Sequence, residues 1–327
     1  MKWQGKRILI TGAGGFIGSH LTEKLVELGA DVRAMVHYNA LGTWGWLDHS
    51  EIKNNIEVVA GDITDRDSVR QVVAGREIIF HLAALIAIPY SYHAPTSYLR
   101  TNIEGTLNIL LAAREFEVER IVHTSTSEVY GTALYVPIDE KHPLQGQSPY
   151  SAAKIGADKQ VEAFHRSFGV PAVTVRPFNT FGPRQSARAV IPAIITQCLT
   201  GNTIKLGNLS PTRDLNYVTN TVEGFLAAAA TQMIEGQTIN IGSGREISIG
   251  DLAQLIAQLI GREITIHTDE QRLRPEKSEV ERLVADNSLA RELLGWSPTV
   301  SLEEGLKKTI TWVEQHLGRY RPDVYIV

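Results

Sequence analysis

Cysteine, long apolar runs and an excess of positive charge are all scarce in this sequence, and each shortage excludes a class of protein. The 327 residues include one cysteine, Cys198, so no internal disulfide forms, and a reducing, cytoplasmic compartment is expected. The longest apolar run, near residues 80–89, is too short to cross a bilayer. A net charge of −4 has the wrong sign for a nucleic-acid-binding face. We therefore expect neither membrane nor nucleic-acid partners.

Metal-binding patterns are missing as well. The ten histidines are scattered, and no HExxH motif or Cys/His cluster occurs, so we expect no metal site. His81 and His123 each stand at the end of a predicted strand, and Cys198 lies in the apolar helical pattern IPAIITQCL. We assign these three residues to packing rather than to catalysis.

Strand and helix patterns alternate through the first half of the chain. They predict strands at 7–11, 31–37, 56–62, 77–84, 120–125 and 172–178, and helices at 16–29, from about 65, at 101–116 and at 148–169. Such alternation predicts a doubly wound parallel α/β sheet with right-handed crossovers. After Gly182-Pro183 shorter strands mix with helices. We predict one domain over 1–182 and a smaller mixed α/β lobe over 183–327, with segments that return to the first domain.

The stretch TGAGGFIGSH, residues 11–20, has the spacing Gly12-x-x-Gly15-x-x-Gly18 between a predicted strand and a predicted helix. The helix N-terminus in such a loop offers free N–H groups and the positive end of its dipole to a pyrophosphate. Gly12 permits the tight turn, Gly15 lets the backbone approach the phosphates, and Gly18 lets the helix pack on the strand. The first domain is therefore predicted to be Rossmann-type and to bind a dinucleotide.

The end of the second predicted strand usually carries the acidic residue that holds the adenosine ribose. Here that residue is His37, followed by Tyr38 and Asn39, and Arg33 is close by in sequence. The pattern leaves NAD and NADP both open. Asp62, which ends the third strand, is placed to meet the adenine edge.

Hydroxyl groups and a Tyr-x-x-x-Lys pair indicate the chemical centre. The stretch HTSTSEVYG, residues 123–131, places Thr126, Ser127 and Glu128 after a predicted strand. Tyr150 and Lys154 share one face of a predicted helix. A lysine in that position can stabilise a tyrosinate, so a phenol with an ordinary pKa of roughly 10 becomes a base usable near neutrality.

These motifs resemble the extended short-chain dehydrogenase/reductase family over nearly the whole chain. Further similar segments are HLAA (81–84), TNIEGT (101–106), RPFNTFGPRQ (176–185), TRDLNYV (212–218) and ADNSLARELLGWSP (285–298). Within the family, the sequence looks most like nucleotide-sugar 4,6-dehydratases of the legionaminic-acid (nonulosonate) type, which act on nucleotide-linked N-acetylglucosamine. The resemblance implies a nucleotide-sugar substrate, and NAD or NADP that stays bound and is regenerated. It also implies a homodimer that pairs helices 101–116 and 149–168.

The resemblance further implies functional residues. Cofactor contacts are expected from Gly12, Gly15, Phe16, Ile17, Gly18, His37, Asp62, Ile63, Leu82, Ala83, Ala84, Asn102, Tyr150 and Lys154. Contacts to the nucleotide diphosphate are expected from Asn179, Arg188, Arg213 and Arg274. A guanidinium grips phosphate oxygens bidentately. The competing interpretation pairs Arg213 with Asp214, and Arg274 with a nearby glutamate, on the surface. The aromatic stretch WGWLDH (44–49) is equally consistent with a lid, a subunit contact or packing at the solvent edge.

The catalytic roles also follow from the resemblance. Tyr150, helped by Lys154 and Thr126, becomes the base at the C4 hydroxyl, and Glu128 the base at C5. The dehydratase pattern Thr-Asp-Glu has an aspartate that protonates the leaving C6 oxygen, but here that residue is Ser127. A serine hydroxyl is a poor general acid at neutral pH.

Three interpretations of Ser127 stay open. Glu128 serves both C5 and C6, or the substrate is already a 5,6-ene, or the enzyme is a C4 epimerase in which Glu128 is structural. The leading function is a 4,6-dehydratase that acts on UDP- or GDP-N-acetylglucosamine. A simple dehydrogenase would need no base at C5, and a nucleotide sensor would not need Thr126, Tyr150 and Lys154 together.

Overall fold

The computed structural model describes residues 2–320, except for the side chain of Glu276. Its strands are β1 (Arg7–Thr11), β2 (Asp31–His37), β3 (Glu57–Gly61), β4 (Ile78–His81), β5 (Arg120–Thr124), β6 (Ala172–Pro177), β7 (Asn179–Phe181), β8 (Thr203–Leu206), β9 (Thr212–Tyr217), β10 (Thr238–Ile241), β11 (Glu246–Ser248), β12 (Thr265–Thr268) and β13 (Arg282–Leu283). Its α-helices are α1 (Phe16–Glu27), α2 (Arg66–Val73), α3 (Ile88–His93), α4 (Pro95–Tyr98), α5 (Gly105–Glu115), α6 (Pro149–Phe168), α7 (Val190–Thr200), α8 (Val218–Ala230), α9 (Ile249–Ile260), α10 (Ser288–Leu294) and α11 (Leu302–Gln315).

A seven-stranded parallel sheet organises the molecule, in the order β10-β6-β5-β4-β1-β2-β3. Every residue of β4 is buried, and Ile8, Leu9 and Ile10 of β1 are fully buried. Helices cover both faces of such a sheet, so its central strands are apolar on both sides. The predicted Rossmann-type fold is confirmed.

The second half of the chain builds smaller sheets and also adds to the large one. β9 pairs with β7, β11 and β13, and β8 pairs with β12. β10 instead joins the edge of the central sheet beside β6. Asn240 of β10 accepts a hydrogen bond from Tyr130 Oη at 2.8 Å and donates one to Ile138 O at 3.0 Å. The two halves of the chain therefore share one sheet.

Some helix and strand boundaries differ from the sequence prediction. One of them differs because a side chain forms hydrogen bonds with the backbone. The strand predicted at 77–84 ends at His81, because the N–H groups of Leu82 and Ala83 donate to Thr11 Oγ1, both at 3.1 Å. The helix predicted at 101–116 has a π-helical start, Leu99–Glu104, before α5. Two short helices, α3 and α4, precede it and were not predicted; each has a proline in its first turn.

Helix α6 has strong end signals, and these fix the position of its first turns. Ser148 and Ser151 form a reciprocal capping box, and Pro149 occupies the first turn. Gly169 ends the helix in the left-handed region, with φ 69°. Tyr150 and Lys154 therefore lie at the start of a well-defined helix. Among the helices of residues 2–320, none has both the length and the apolar character needed to cross a bilayer.

Candidate active site

A cavity of about 1100 Å³ runs along the carboxyl ends of the central strands and continues to the second half of the chain. The last residue of β2, His37, lines this cavity. So do the residues that directly follow β1, β3, β4 and β5, which are Gly12, Asp62, Leu82 and Ser125. In open parallel α/β sheets, this edge is where ligands bind.

The glycine loop is packed so tightly that side chains would not fit. Gly12 has φ +72°, and a Cβ there would lie 2.9 Å from Ala83 N. A Cβ on Gly14 would come within 2.4 Å of Trp44 O, and one on Gly18 within 2.2 Å of Gly12 O. Gly15 caps α1 without a side-chain hydrogen bond, which leaves the first N–H groups of the helix for an anion. The loop and helix therefore fit a dinucleotide pyrophosphate, and Phe16, Ile17 and Gly18 line the cavity here.

One part of the cavity wall lies where β2 and β3 end. His37 and Asp62 both line it, as does Ile63. Asp62 Oδ1 accepts hydrogen bonds from the N–H and hydroxyl of Thr64, at 2.8 and 2.9 Å. Arg33, which is close to His37 in sequence, binds Glu57 Oε2 at 2.8 Å and Val72 O at 2.9 Å. It is already held by β3 and the end of α2.

A hydrogen-bonded chain holds the next part of the wall, Leu82 to Leu85, in place. Thr11 Oγ1 accepts from the backbone and therefore donates to His81 Nδ1, at 2.8 Å. His81 Nε2 then donates to Thr106 Oγ1 at 3.1 Å, because the Thr106 hydroxyl itself donates to Asn102 O. The Asn102 amide binds both N and O of Leu85, at 2.9 Å each.

Asn102, which the resemblance implies as a cofactor contact, is not among the residues that line the cavity. Leu82, Ala83 and Ala84 line the cavity as predicted for cofactor contacts, but Asn102 is buried behind them. Its amide oxygen and its amide nitrogen both bind the backbone of Leu85. Asn102 therefore shapes the wall through the backbone of Leu85 rather than by facing the cavity.

The predicted catalytic side chains converge at the middle of the cavity. Thr126, Ser127, Glu128 and Tyr150 all line it, and all are at most 9% exposed. Lys154 lies just behind this wall, where its Nζ donates to Thr124 O at 2.6 Å. The neighbouring Thr124 Oγ1 is buried without a hydrogen-bond partner in residues 2–320, so the wall retains an open acceptor.

Burial controls the charges of the Tyr150–Lys154 pair. It raises the pKa of the Tyr150 phenol well above the usual value, against the opposing effect of the Thr126 hydroxyl. Burial also lowers the pKa of Lys154 to about 8, partly offset by Asp158. The sequence predicted a tyrosinate ready at neutral pH. In the chain by itself the phenol stays protonated, because desolvation opposes both charged forms.

The four predicted substrate residues line the far end of the cavity. Arg213 is 6% exposed and approaches Glu279 Oε1 at 3.3 Å, while Arg274 approaches the same oxygen at 3.6 Å. The competing pairing of Arg213 with Asp214 does not occur, because Asp214 accepts from the backbone N–H groups of residues 243, 244 and 285. The competing pairing of Arg274 with a glutamate does occur, with Glu279 on the cavity wall.

Asn179 and Arg188 complete this group in different ways. Asn179 Oδ1 is buried and lacks a hydrogen-bond partner within the described residues, so it can receive a ligand donor. Arg188 is exposed at the rim, and its Nε donates to Ser186 Oγ at 3.2 Å.

Glu279 and Gln185 are among the polar residues of the wall that sequence reasoning missed. Glu279 lies between two arginines, and Gln185 has a buried, unpartnered Oε1 within residues 2–320. Glu279 follows Arg274 closely in sequence, and Gln185 ends the segment RPFNTFGPRQ, so their position beside predicted site residues was an available signal. Within that same range, no group of three or more His, Cys, Asp or Glu side chains could hold a metal ion.

Comparison with known proteins connects this geometry to a family. A family model described as GDP-mannose 4,6 dehydratase matches residues 9–309. The chain belongs to the GDP-mannose 4,6-dehydratase family. The extended short-chain dehydrogenase/reductase resemblance is thereby confirmed at the level of the family.

Relatives within this family catalyse several reactions on nucleotide sugars. The chain is 35% identical to a UDP-glucose 4-epimerase of Mycolicibacterium smegmatis over 93% of its own length and 97% of the relative's. It is 33% identical to a UDP-N-acetyl-alpha-D-glucosaminuronate decarboxylase of Bacillus cytotoxicus, covering 95% and 98%. The dTDP-glucose 4,6-dehydratase DesIV of Streptomyces venezuelae, solved with NAD bound, superposes with a TM-score of 0.88 at 28% identity over 97% and 99%.

Proposed function

We propose that this member of the GDP-mannose 4,6-dehydratase family is itself a nucleotide-sugar 4,6-dehydratase. The observation that carries the proposal is the position of Glu128. Its side chain lies in the cavity wall with Thr126 and Tyr150, although the residue is only 8% exposed. Oxidation at C4 needs a base for the hydroxyl alone, whereas loss of water from C5 and C6 needs a second base. Glu128 supplies that second base.

NAD is the proposed cofactor, because the glycine loop and the first turn of α1 fit its pyrophosphate and similar solved structures contain it. Gly12, Gly15 and Gly18 would hold the pyrophosphate. His37 and Asp62 would face the adenosine. When bound, NAD would accept a hydride from C4 of the sugar and return it to C6.

The side chains divide the proton transfers between them. Tyr150 first gives up its own phenol proton, which the positive charge of Lys154 and a hydrogen bond from Thr126 favour. The resulting tyrosinate takes the C4 hydroxyl proton as C4 becomes a ketone. The ketone acidifies C5–H, and Glu128 takes that proton. The C6–O bond then breaks as the C5–C6 double bond forms, and Glu128 delivers its proton to the departing oxygen, so water leaves. When the hydride returns to C6, solvent supplies the proton that C5 regains. Ser127 orients the C6 oxygen in this scheme.

The proposed substrate is a nucleoside diphosphate linked to an N-acetylhexosamine, as in the legionaminic-acid-type dehydratases. Arg213 and Arg274 are proposed to grip the diphosphate, since both guanidinium groups already flank an anion, the carboxylate of Glu279. Asn179 and Arg188 would add contacts to the nucleotide. Residues 1–182 would thus hold mainly the cofactor and 183–327 mainly the nucleotide sugar. We also propose a homodimer through α5 and α6, which light scattering of the purified protein would test.

A C4 epimerase is the second candidate, and Ser127 is the observation that favours it. An epimerase has no leaving oxygen to protonate, and one relative of this chain is a UDP-glucose 4-epimerase. An enzyme that acts on a 5,6-ene would likewise need no acid at this position.

Products formed in deuterated water separate these functions. The protein would be incubated with UDP- and GDP-N-acetylglucosamine and, separately, with the corresponding 5,6-enes, and the products followed by NMR and mass spectrometry. A dehydratase gives a 4-ketone that has lost one water and carries deuterium at C5. Inversion at C4 without loss of mass would establish the epimerase instead, and turnover of only a 5,6-ene would establish the third alternative. Tyr150→Phe is the control, since it removes the base that all three reactions need.

A further inference from the structure

A buried carboxylate lies one helical turn beyond Lys154. Asp158 is 6% exposed, and its Oδ2 accepts hydrogen bonds from Ser125 Oγ at 2.7 Å and from Arg176 Nε and Nη2 at 3.2 and 3.0 Å. His123 Nε2 lies 3.2 Å from Oδ1. We call these four residues the Asp158 cluster. None of them is required for the proton transfers described above.

The cluster is joined to Lys154 through the end of β5. Lys154 Nζ donates to Thr124 O at 2.6 Å, and the next residue, Ser125, donates to Asp158. Lys154 is 4% exposed and forms no salt bridge with any described residue. A buried ammonium without a paired anion tends to lose its proton. Asp158 lies on the same face of α6, four residues after Lys154, and its negative charge raises the pKa of Lys154 against the effect of burial.

Arg176 competes with Lys154 for that charge. It forms a buried ion pair with Asp158 at 3.0 Å, and its Nη1 donates to Tyr130 Oη at 2.9 Å. One carboxylate therefore serves two buried cations. Removing the anion and removing the competing cation should have opposite effects on Lys154, although both changes break the same ion pair.

We propose that Asp158 is a positioning residue that keeps Lys154 protonated, and that Arg176 limits this effect. The proposal rests on the use of Tyr150 and Lys154 as the catalytic pair. It extends the site beyond the cavity wall, to charges that no ligand touches.

The other charged and titratable groups near the Asp158 cluster are consistent with these opposite roles of Asp158 and Arg176. Burial lowers the pKa of both His81 and His123, so both rings are neutral at pH 7. Burial acts to raise the pKa of Asp158, but His123, Arg176 and Lys154 together hold it at about 2. Tyr150 and Glu128 are titratable residues of the large cavity wall, in front of Lys154. Asp158 and Arg176 also line a second cavity of about 360 Å³, whose other ionisable residues are Glu140, His142, Lys159, Glu162 and Arg166.

The test follows the titration of Lys154 by NMR of the full-length protein labelled with ¹³C at the lysine Cε. A Lys154→Arg variant identifies the signal. Asp158→Asn should lower the Lys154 midpoint by about 1 pH unit or more, and Arg176→Gln should raise it. Tyr130→Phe is the matched control, because it removes a hydrogen bond to Arg176 and leaves every buried charge in place. The Lys154 titration midpoint of Tyr130→Phe should equal that of the wild type.

Shifts of the same sign in Asp158→Asn and Arg176→Gln, or no shift in either, would overturn the proposal. A purely structural ion pair would lower stability in both variants without shifting the Lys154 midpoint in opposite directions. If one of the two variants does not fold, the sign of the shift in the other decides.

Activity gives the second readout. Where turnover is measurable, the alkaline limb of the kcat profile should move with the Lys154 midpoint. If the wild type turns over no nucleotide sugar, the proposed function fails, while the NMR titration still decides the role of Asp158.

Discussion

At the scale of single residues, Glu128 separates the proposed dehydration from simple oxidation at C4. Glu128→Gln keeps the size of the side chain but removes the base for C5. We expect product formation to fall by about 10²- to 10⁴-fold, because that is the usual contribution of a general base. Oxidation at C4 should continue and appear as a build-up of reduced cofactor in single-turnover absorbance. Glu281→Gln, at an exposed position, is the control. Loss of C4 oxidation as well would contradict the assigned role.

Ser127 offers a complementary experiment, because it stands where related dehydratases have an acid. Ser127 is 2% exposed and lines the cavity next to Glu128. Two carboxyl groups in one buried site repel each other, so Ser127→Asp should keep one of them protonated. We expect faster water loss, by about tenfold, measured as the rate of 4-ketone formation. Ser127→Ala tests the hydroxyl itself. If only the wild-type serine is active, the hydroxyl has a direct part in the reaction.

The sequence motifs predicted which residues line the cavity better than they predicted protonation states or ion-pair partners. Thr126, Glu128 and Tyr150 meet on one wall because a strand end and a helix start are local features of sequence. The protonated state of Tyr150 was not predicted, since it depends on burial by distant segments. The contact of Arg213 with Glu279 spans 66 residues, and no local pattern encodes such a pairing.

At the scale of elements, the start of α1 depends on close backbone contacts. A Cβ on Gly18 would lie 2.2 Å from Gly12 O, so Gly18→Ala must displace the loop from the helix. We expect NAD affinity to fall at least about tenfold, which is roughly 1.4 kcal/mol. Calorimetric titration with NAD measures this change. Gly201→Ala is the matched control, because nothing lies within 4 Å of a Cβ there and its φ is not positive. An equal loss of NAD affinity in both variants would show that any Gly→Ala substitution weakens binding, and that the close contact at Gly18 is not the cause.

The aromatic stretch 44–49 illustrates what an element-level pattern leaves open. Its Trp46 N donates to Gly14 O at 3.0 Å, so the stretch is attached to the glycine loop. Trp46 also packs edge-on against Trp312 of α11, with ring centroids 5.3 Å apart, and Arg319 lies 5.1 Å above the Trp46 ring. Packing within the chain therefore explains the aromatic residues. The partner helix begins more than 250 residues later, which is why the sequence alone gave three interpretations.

This contact predicts an effect of α11 on cofactor binding. Trp312→Ala removes the aromatic partner of Trp46, and such pairs contribute about 0.5–1.5 kcal/mol. We expect the Kd for NAD to rise by about 2- to 10-fold, measured by calorimetric titration. Trp312→Phe keeps an aromatic ring and should recover most of the affinity. A stability loss in the alanine variant with unchanged NAD affinity would mean that α11 supports the fold but not the cofactor loop.

At the scale of the whole molecule, alternation of strands and helices was enough to predict the central sheet. The pattern did not predict the place of β10 in that sheet, because the sequence of a four-residue strand does not show which strand it pairs with. Its position is fixed by tertiary contacts. β10 pairs with β6, Asn240 bonds to Tyr130 and Ile138, and α8 packs against β5 and β6. The first half of the chain is thus completed by segments from the second half.

That dependence predicts the behaviour of the first 182 residues expressed alone. Without β10, strand β6 becomes an unpaired edge, and without α8 the apolar faces of β5 and β6 are open to water. We expect residues 1–182 to bind a hydrophobic dye and to lack the cooperative thermal transition of the full chain, followed by circular dichroism. Co-expression of residues 183–327 as a separate chain should restore the transition and NAD binding. A cooperative, NAD-binding fragment 1–182 would show instead that the first half folds by itself, and that β10 only extends a sheet already stable without it.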